Sequence, residues 1–509
     1  MMLFSSRFSQ TRTRLVWAGA LLVSGGLAAG CGAGYRPVIS PIGPSGPGSQ
    51  PQSLVAVVSS PSTTTPGVIT VVDYSGDTIL AQATLGPGPK SFTLDETGGS
   101  GYTVNRDGTV TDFPVSPTLQ QKNVEFTTLP STANVVNMFS PSTGLWVSDL
   151  DGNVTDVLSG FPEAFKLAIP VASTPVTVVG PSVIGQRNYV IAQNSGDGVA
   201  CNVSPRTVGA LGEADAIETA SNTVSARIPL GKCPVFAIQS VDSRRVFVLN
   251  RGDDTISVLN SQDNTLDNQC PPPSGCVNQG GQQYFTHPSL PLSTSAGLSG
   301  AGVPAIAGPV YAEYNALTSQ LVVADYDGGT VSIIDVSLDL YGNDSPTFGT
   351  TYTVKVGNTA TPNPASVTIL NDGSRAYTAN QNDDPSGTGA NNGTVSIVNL
   401  SSHTLIKTLA VTGHPRTVAS TQNSLYGKVY VAAPDSPYLT IIRTDQDIID
   451  TTVLVQGKIV DVRTSTQDAN RGNANVVSRV PGFGEPCYLS PQQLKGLTLT
   501  LDLCQSQTP

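Results

Sequence analysis

The chain has 509 residues, enough for several ordinary domains or for one large closed array of small repeats. Its 51 glycines and 38 prolines exceed ordinary usage without a collagen period, and charged residues make up only 12%. That balance suits a turn-rich β protein and argues against a helical enzyme core. Lys and Arg number 26 against 37 Asp and Glu, a net charge of −11, and without residues 1–30 the balance falls to 23 against 37. Such an acidic body repels phosphate backbones, and with no dense Lys/Arg run nucleic acid is not expected as a partner.

In chain order, residues 1–14 hold Arg7, Arg12 and Arg14 and no acid, and Leu15 to Gly30 is an apolar run of sixteen residues. That is short of the roughly 20 residues needed to span a bilayer, and it has the layout of a secretory signal over residues 1–30. The run closes as Leu27-Ala28-Ala29-Gly30-Cys31, which resembles the lipobox of bacterial lipoproteins. The resemblance implies cleavage before Cys31 and its acylation, including palmitate-type chains, and more than one chain gives stable anchoring. Gly32, in place of aspartate, implies sorting to the outer membrane of the cell envelope, on its periplasmic or its surface side. Residues 31–52, rich in Pro, Gly and Ser, read as a tether.

From residue 53 to 465 a β unit recurs. Val246–Asn260 (VFVLNRGDDTISVLN) and Leu321–Asp335 (LVVADYDGGTVSIID) each pair two short β-rich runs across an Asp/Gly turn, and Ala376–Asn399 repeats them with a longer turn. A threonine- or valine-led strand marks each repeat: Val68–Val71, Thr109–Thr111, Asn153–Thr155, Gly198–Val199, Thr255–Val258, Thr330–Ile333, Thr394–Ile397 and Tyr438–Ile441. The shortest steps, 41 to 45 residues, are what four short strands and their turns require in a propeller blade. The longer steps hold insertions, chiefly 261–308. In phase with this marker runs a second, an alternating strand ending in a small turn with proline, at Ala83–Pro89, Lys166–Pro175, Ala226–Pro234 and Lys407–Pro415.

These segments resemble the YVTN-type β-propeller repeat family over roughly Leu54 to Ser465, less strongly across residues 100–200. The fold expected is an all-β propeller of four-stranded blades. Seven blades is the commoner number in that family, whereas eight strand pairs, from Leu54–Val58 to Lys428–Ala432, favour eight. A last short strand, Ile459–Arg463, is placed to complete the first blade. Residues 466–509 depart from the repeat and read as a disulfide-held extension.

Seven cysteines occur, and with Cys31 assigned to lipid six remain, an even number in an exported chain. Proximity along the chain suggests Cys270–Cys276 and Cys487–Cys504, leaving Cys201–Cys233. None of the spacings is that of a metal site. His287, His403 and His414 occupy different repeat positions and read as surface residues. The Asp-rich turns 105–108, 149–153 and 325–328 carry oxygen ligands that suit Ca²⁺, yet Asp, Asn and Gly form such turns without metal. Arg251-Gly252-Asp253 lies in a turn of the same kind. No cofactor is expected: C-x-x-C-H is absent, and past the signal Trp146 is the sole tryptophan, unlike the tryptophan-rich blades of quinone-dependent dehydrogenases. The function read from these features is a lipid-anchored, monomeric, non-enzymatic binding protein that takes an unknown protein or envelope polymer through loops on one ring face and the 261–308 insertion. The alternative is a lactonase-like or dehydrogenase-like enzyme working in the central channel.

Overall fold

A computed structural model describes residues 54–465 apart from 131–134, 142–143, 161–162, 181–186, 195–209, 268, 271–272, 293–305, 385–391 and 422–426. Cys31, Cys487 and Cys504, the tether and the C-terminal extension lie outside the described residues. The chain builds eight four-stranded antiparallel sheets. Their inner strands are Lys458–Thr464 in blade one, Pro89–Leu94 in two, Val135–Phe139 in three and Pro175–Val179 in four. Pro234–Gln239, Pro309–Asn315, Pro364–Ile369 and Thr417–Ser420 are those of blades five to eight. Each inner strand touches the next around a full circle. The fold is an eight-bladed β-propeller, and among the described residues its only helix is the 3₁₀ turn Gln121–Asn123.

Burial explains the circle. The three inner strands of a blade are covered on both faces: every residue of Leu54–Ser60 and of Arg245–Asn250 is buried. Outer strands such as Ala164–Pro170 and Ile448–Leu454 are mostly exposed. A sheet apolar on both faces is stable only when another sheet covers each face, and closing the array removes the two uncovered ends. Phe236 of blade five packs on Tyr311 of blade six with ring centroids 4.7 Å apart, one of many such inter-blade contacts.

Closure is made by the last described strand. Lys458–Thr464 pairs antiparallel with Leu54–Ser60 to form the inner edge of blade one. The Leu54 amide donates to Ser465 Oγ at 2.8 Å, and the Ser465 amide returns to the Leu54 carbonyl at 2.8 Å. The prolines have a positional role as well. Pro89, Pro175, Pro234, Pro309 and Pro364 each open an inner strand, and at each the register slips by one residue directly afterwards. A residue without an N–H belongs at such a bulge, where a ladder bond is missing in any case.

One marker is displaced. Gly198–Val199 falls outside the described residues, and the third strand of blade four is Leu211–Glu218. A long connection from Arg187–Ala192 separates it from the second strand, so regular spacing pointed too early.

Candidate functional site

Antiparallel order puts the turns between second and third strands, together with the outer-to-inner connections, on one face, called upper here. On it the repeated Asn and Thr-x-Ser positions form a relay. Asn250 Nδ2 donates to Thr255 Oγ1 at 3.1 Å and Ser257 Oγ at 2.8 Å, and Asn380 does the same to Thr394 and Ser396, both at 2.9 Å. Asn105 serves Thr109 and Thr111 likewise. The far hydroxyl then accepts a glycine amide from the preceding blade: Gly231 to Ser257 at 3.2 Å, Gly357 to Ser396 at 2.9 Å and Gly86 to Thr111 at 3.1 Å. A Cβ on Gly231 would lie 2.5 Å from Asn250 Nδ2, so the close approach requires glycine. The two sequence markers are the two halves of one inter-blade clip.

The acidic turns are spent in the same way. Asp253 accepts the Lys232 amide at 3.0 Å and the Thr255 hydroxyl at 2.7 Å, and Asp254 accepts the Gly308 amide at 2.7 Å. Asp383 takes the amides of Asn358 and Thr359, each at 2.7 Å from Oδ1. Arg251 grips Asp327 through Nε and Nη2 at 2.8 and 2.9 Å, so the Arg-Gly-Asp tripeptide is built into the ring. Among the described residues no group of three or more His, Cys, Asp or Glu is arranged to hold a metal ion. Asp325 stands where blades two, five and seven have asparagine. Its Oδ2 accepts from Thr330 and Ser332, and burial pushes the carboxyl up to about 7 despite those bonds.

The histidines are not bare surface residues. His414 gives its amide and ring Nδ1 to Asp435 at 2.8 and 2.7 Å; burial opposes ionisation there, but these bonds and the imidazole hold Asp435 below the usual range. His403 stacks on Tyr352 with centroids 3.6 Å apart. His287 is largely buried, stacks on Phe348 at 5.0 Å, and meets Asp344 through Nδ1 at 3.0 Å.

The lower face has its own clips, each a base opening the second strand of one blade and reaching the third-to-outer turn of the next. Arg375 takes the Thr444 carbonyl at 2.7 Å and Asp447 at 2.5 Å, and Lys428 takes the Tyr74 carbonyl at 2.8 Å and Asp77 at 2.5 Å. In blade five this clip has been elaborated. The outer strand is split into Thr265–Leu266 and Ser289–Pro291, both antiparallel to Thr255–Asn260, and residues 267–288 leave between the halves as a projection. The predicted insertion 261–308 thus includes both halves of the blade's outer strand. Asp267 and His287 sit at the two roots. Arg245 lies between them, donating to Asp344 from Nη2 at 2.9 Å and Nε at 3.2 Å and to the Gly342 carbonyl at 3.1 Å, with Asp267 Oδ2 at 3.3 Å. Burial, then the Asp344 carboxylate, pushes Asp267 up to about 8 against the pull of Arg245.

Further out, the Cys270–Cys276 disulfide and the ribbon pairing Cys276–Val277 with Gln283–Tyr284 hold the projection's shape. Cys233 is buried and disulfide-bonded, while its expected partner Cys201 lies outside the described residues. Against the ribbon stands the loop between the third and outer strands of blade six, where Gln282 Nε2 donates to Tyr341 Oη at 3.1 Å. Side chains that would normally be covered stand out here: Leu340 is 97% exposed, Tyr341 69% and Val277 65%. No sequence signal marked Arg245, Asp267, His287 and Asp344 as a group.

Along the channel, polar side chains of one inner strand satisfy the open edge of the next. Asn137 Oδ1 accepts the Val178 amide at 3.1 Å, Glu313 Oε2 accepts the Ile369 amide at 2.9 Å, and Ser366 Oγ donates to the Arg416 carbonyl at 2.7 Å. Asp461 lies 3.5 Å from Arg463 on the closing strand, and none of the three histidines lies on an inner strand.

No family model and no curated protein matches the chain in sequence. Among solved structures, apo AztD from Citrobacter koseri is similar at a TM-score of 0.53 with 10% identity, over 81% of this chain and 97% of that one. The dihydro-heme d1 dehydrogenase NirN in complex with DHE is similar at 0.53 with 13% identity, over 82% and 77%. A 6-phosphogluconolactonase-type protein from Bacteroides fragilis reaches 0.49 with 15% identity, over 82% and 99%. Identities this low speak to the fold alone, and the chain's place among known proteins is that of a β-propeller.

Proposed function

We propose that this chain is a monomeric binding protein of the bacterial cell envelope, held on the outer membrane by acylated Cys31, whose ring presents the blade-five projection to an envelope partner, protein or polymer. One observation carries the reading. The projection is braced at its roots by a buried charge network and further out by a disulfide, and yet Leu340, Tyr341 and Val277 are left in water. Rigid exposed aromatic and aliphatic groups cost little entropy on docking, which is what a recognition surface needs. Commitment of the upper-face aspartates to neighbouring blades supports a scaffold role for that face. The full chain and a Leu340→Ser/Tyr341→Ser variant are compared by cross-linking in intact envelopes. A partner captured by the wild type and lost by the variant is expected, and identical capture by both would count against the surface. For the anchor, Cys31→Ser is expected to move the chain from the membrane to the soluble fraction; retention in the membrane would refute it.

A further inference from the structure

A cleft on the lower face belongs neither to the clips nor to the projection. It measures about 370 Å³ and lies between blades three and four. Its floor is Trp146, 3% exposed, from the second strand of blade three, and Asn188, fully buried, from the second strand of blade four. Oriented so that both ends are satisfied, the Asn188 amide accepts the Trp146 indole N–H at 3.3 Å and donates to the Arg187 carbonyl at 3.2 Å. The indole is therefore fixed. Glu163 also lines the cleft, and at 7% exposure its Oε2 has no hydrogen-bond partner among the described residues. Burial, then the Asp112 carboxylate, pushes this carboxyl up to about 7. Exposed Lys166 lines the cleft beside it, and Asn222 adds an amide.

A buried acceptor without a donor is an unfilled requirement, and a ligand hydroxyl meets it. A ligand of either net charge would meet its like as well as its opposite in this small cleft, so the cost of desolvating its charge is not repaid and a neutral ligand is favoured. A fixed indole favours a flat C–H face, and the volume sits at the small end of ligand pockets. We propose that this cleft binds an uncharged polyhydroxylated ring, one or two sugar units in size, with Trp146 as its wall and Glu163 Oε2 accepting a ligand hydroxyl.

The full chain with Trp17→Phe leaves Trp146 as the only tryptophan, so indole emission reports on the cleft directly. Glucose, galactose, N-acetylglucosamine and maltose are titrated, followed by calorimetry, with glucosamine and glucuronate as charged counterparts. At least one neutral sugar is expected to give a saturable change in emission, with both charged sugars roughly 10-fold weaker. Glu163→Met, which lacks the acceptor, should weaken binding ~10-fold, the worth of one hydrogen bond, whereas Glu163→Gln, which keeps an acceptor oxygen, should stay within about 3-fold. Silence in emission and calorimetry for every neutral sugar up to about 50 mM, equal binding of the charged sugars, or unchanged binding by Glu163→Met would overturn the proposal.

Discussion

Replacing Arg245 by methionine keeps a long apolar stem and removes the cation that Asp267 and Asp344 share. The guanidinium makes two hydrogen bonds to Asp344 and two to the carbonyls of Gly342 and Arg244, all in a buried site. Removing one partner of a buried charge network costs about 3–5 kcal/mol, because the remaining charge stays uncompensated. Here the loss falls on the two roots of the projection and on the blade-six loop, while the blades keep their own ladders. At the lower figure, hydrogen exchange of residues 267–288 and 336–350 should accelerate about 150-fold, with blades one to three unchanged. The effect should depend on pH. Asp267 titrates in the folded protein near 8, above the ~4 of an unfolded chain, so its contribution to stability is complete below about pH 4 and is lost as pH rises through 8. Without Arg245 both carboxyls can still be neutralised by protonation, so the penalty should shrink at pH 5 and be largest at pH 9. Exchange mass spectrometry at three pH values decides it. Unchanged exchange in the projection at pH 9, or acceleration spread evenly over all eight blades, would refute the reasoning.

Asp325→Asn restores the asparagine used in other blades. Since the Asp325 carboxyl is raised to about 7, wild-type stability falls as pH climbs from about 4 to 7, and the variant should be about 2–4 kcal/mol more stable at pH 8 and equal at pH 4 in urea unfolding. Gly231→Ala puts a methyl 2.5 Å from Asn250 Nδ2 and 2.6 Å from Asp253 Oδ2, and should cost about 1–3 kcal/mol in the same assay; a neutral result would mean that the clip yields freely. Lys428→Met strips Asp77 and the Tyr74 carbonyl of their shared cation across the closing blades. It should cost about 3 kcal/mol, with exchange rising first in Leu54–Ser60 and Lys458–Thr464.

The ring was legible in the sequence because its recurring letters are its inter-blade bonds. An asparagine followed by Thr-x-Ser or Thr-x-Thr and a glycine ahead of a proline recur because blades two and seven repeat the relay seen in blade five at Asn250, Ser257 and Gly231. The closing strand could be placed because Ile459–Arg463 kept the alternation of an inner strand, and eight was the better count. The projection was not legible in detail. The halves of its split outer strand are two and three residues long, too short for periodicity to register. Its network joins Arg245 to Asp344 across 99 positions, a separation at which only the fold can bring residues together. The acidic turns were legible as turns but not as ties between blades, for a related reason. Whether a carboxylate holds a cation or two backbone amides is decided by the neighbouring blade, and Asp383, bonded to Asn358 and Thr359, shows which. His287 read as a surface residue because nothing local announced Asp344 and Phe348.

The strand that completes blade one is contributed by residues 458–464, more than 390 positions after the strand it joins. Until those residues have been synthesised, at most seven sheets can be complete, beside an eighth that lacks its innermost member. Closure of the ring therefore waits for residues 458–464, and an interruption anywhere upstream would leave an open arc whose bare strand edge invites pairing with another chain.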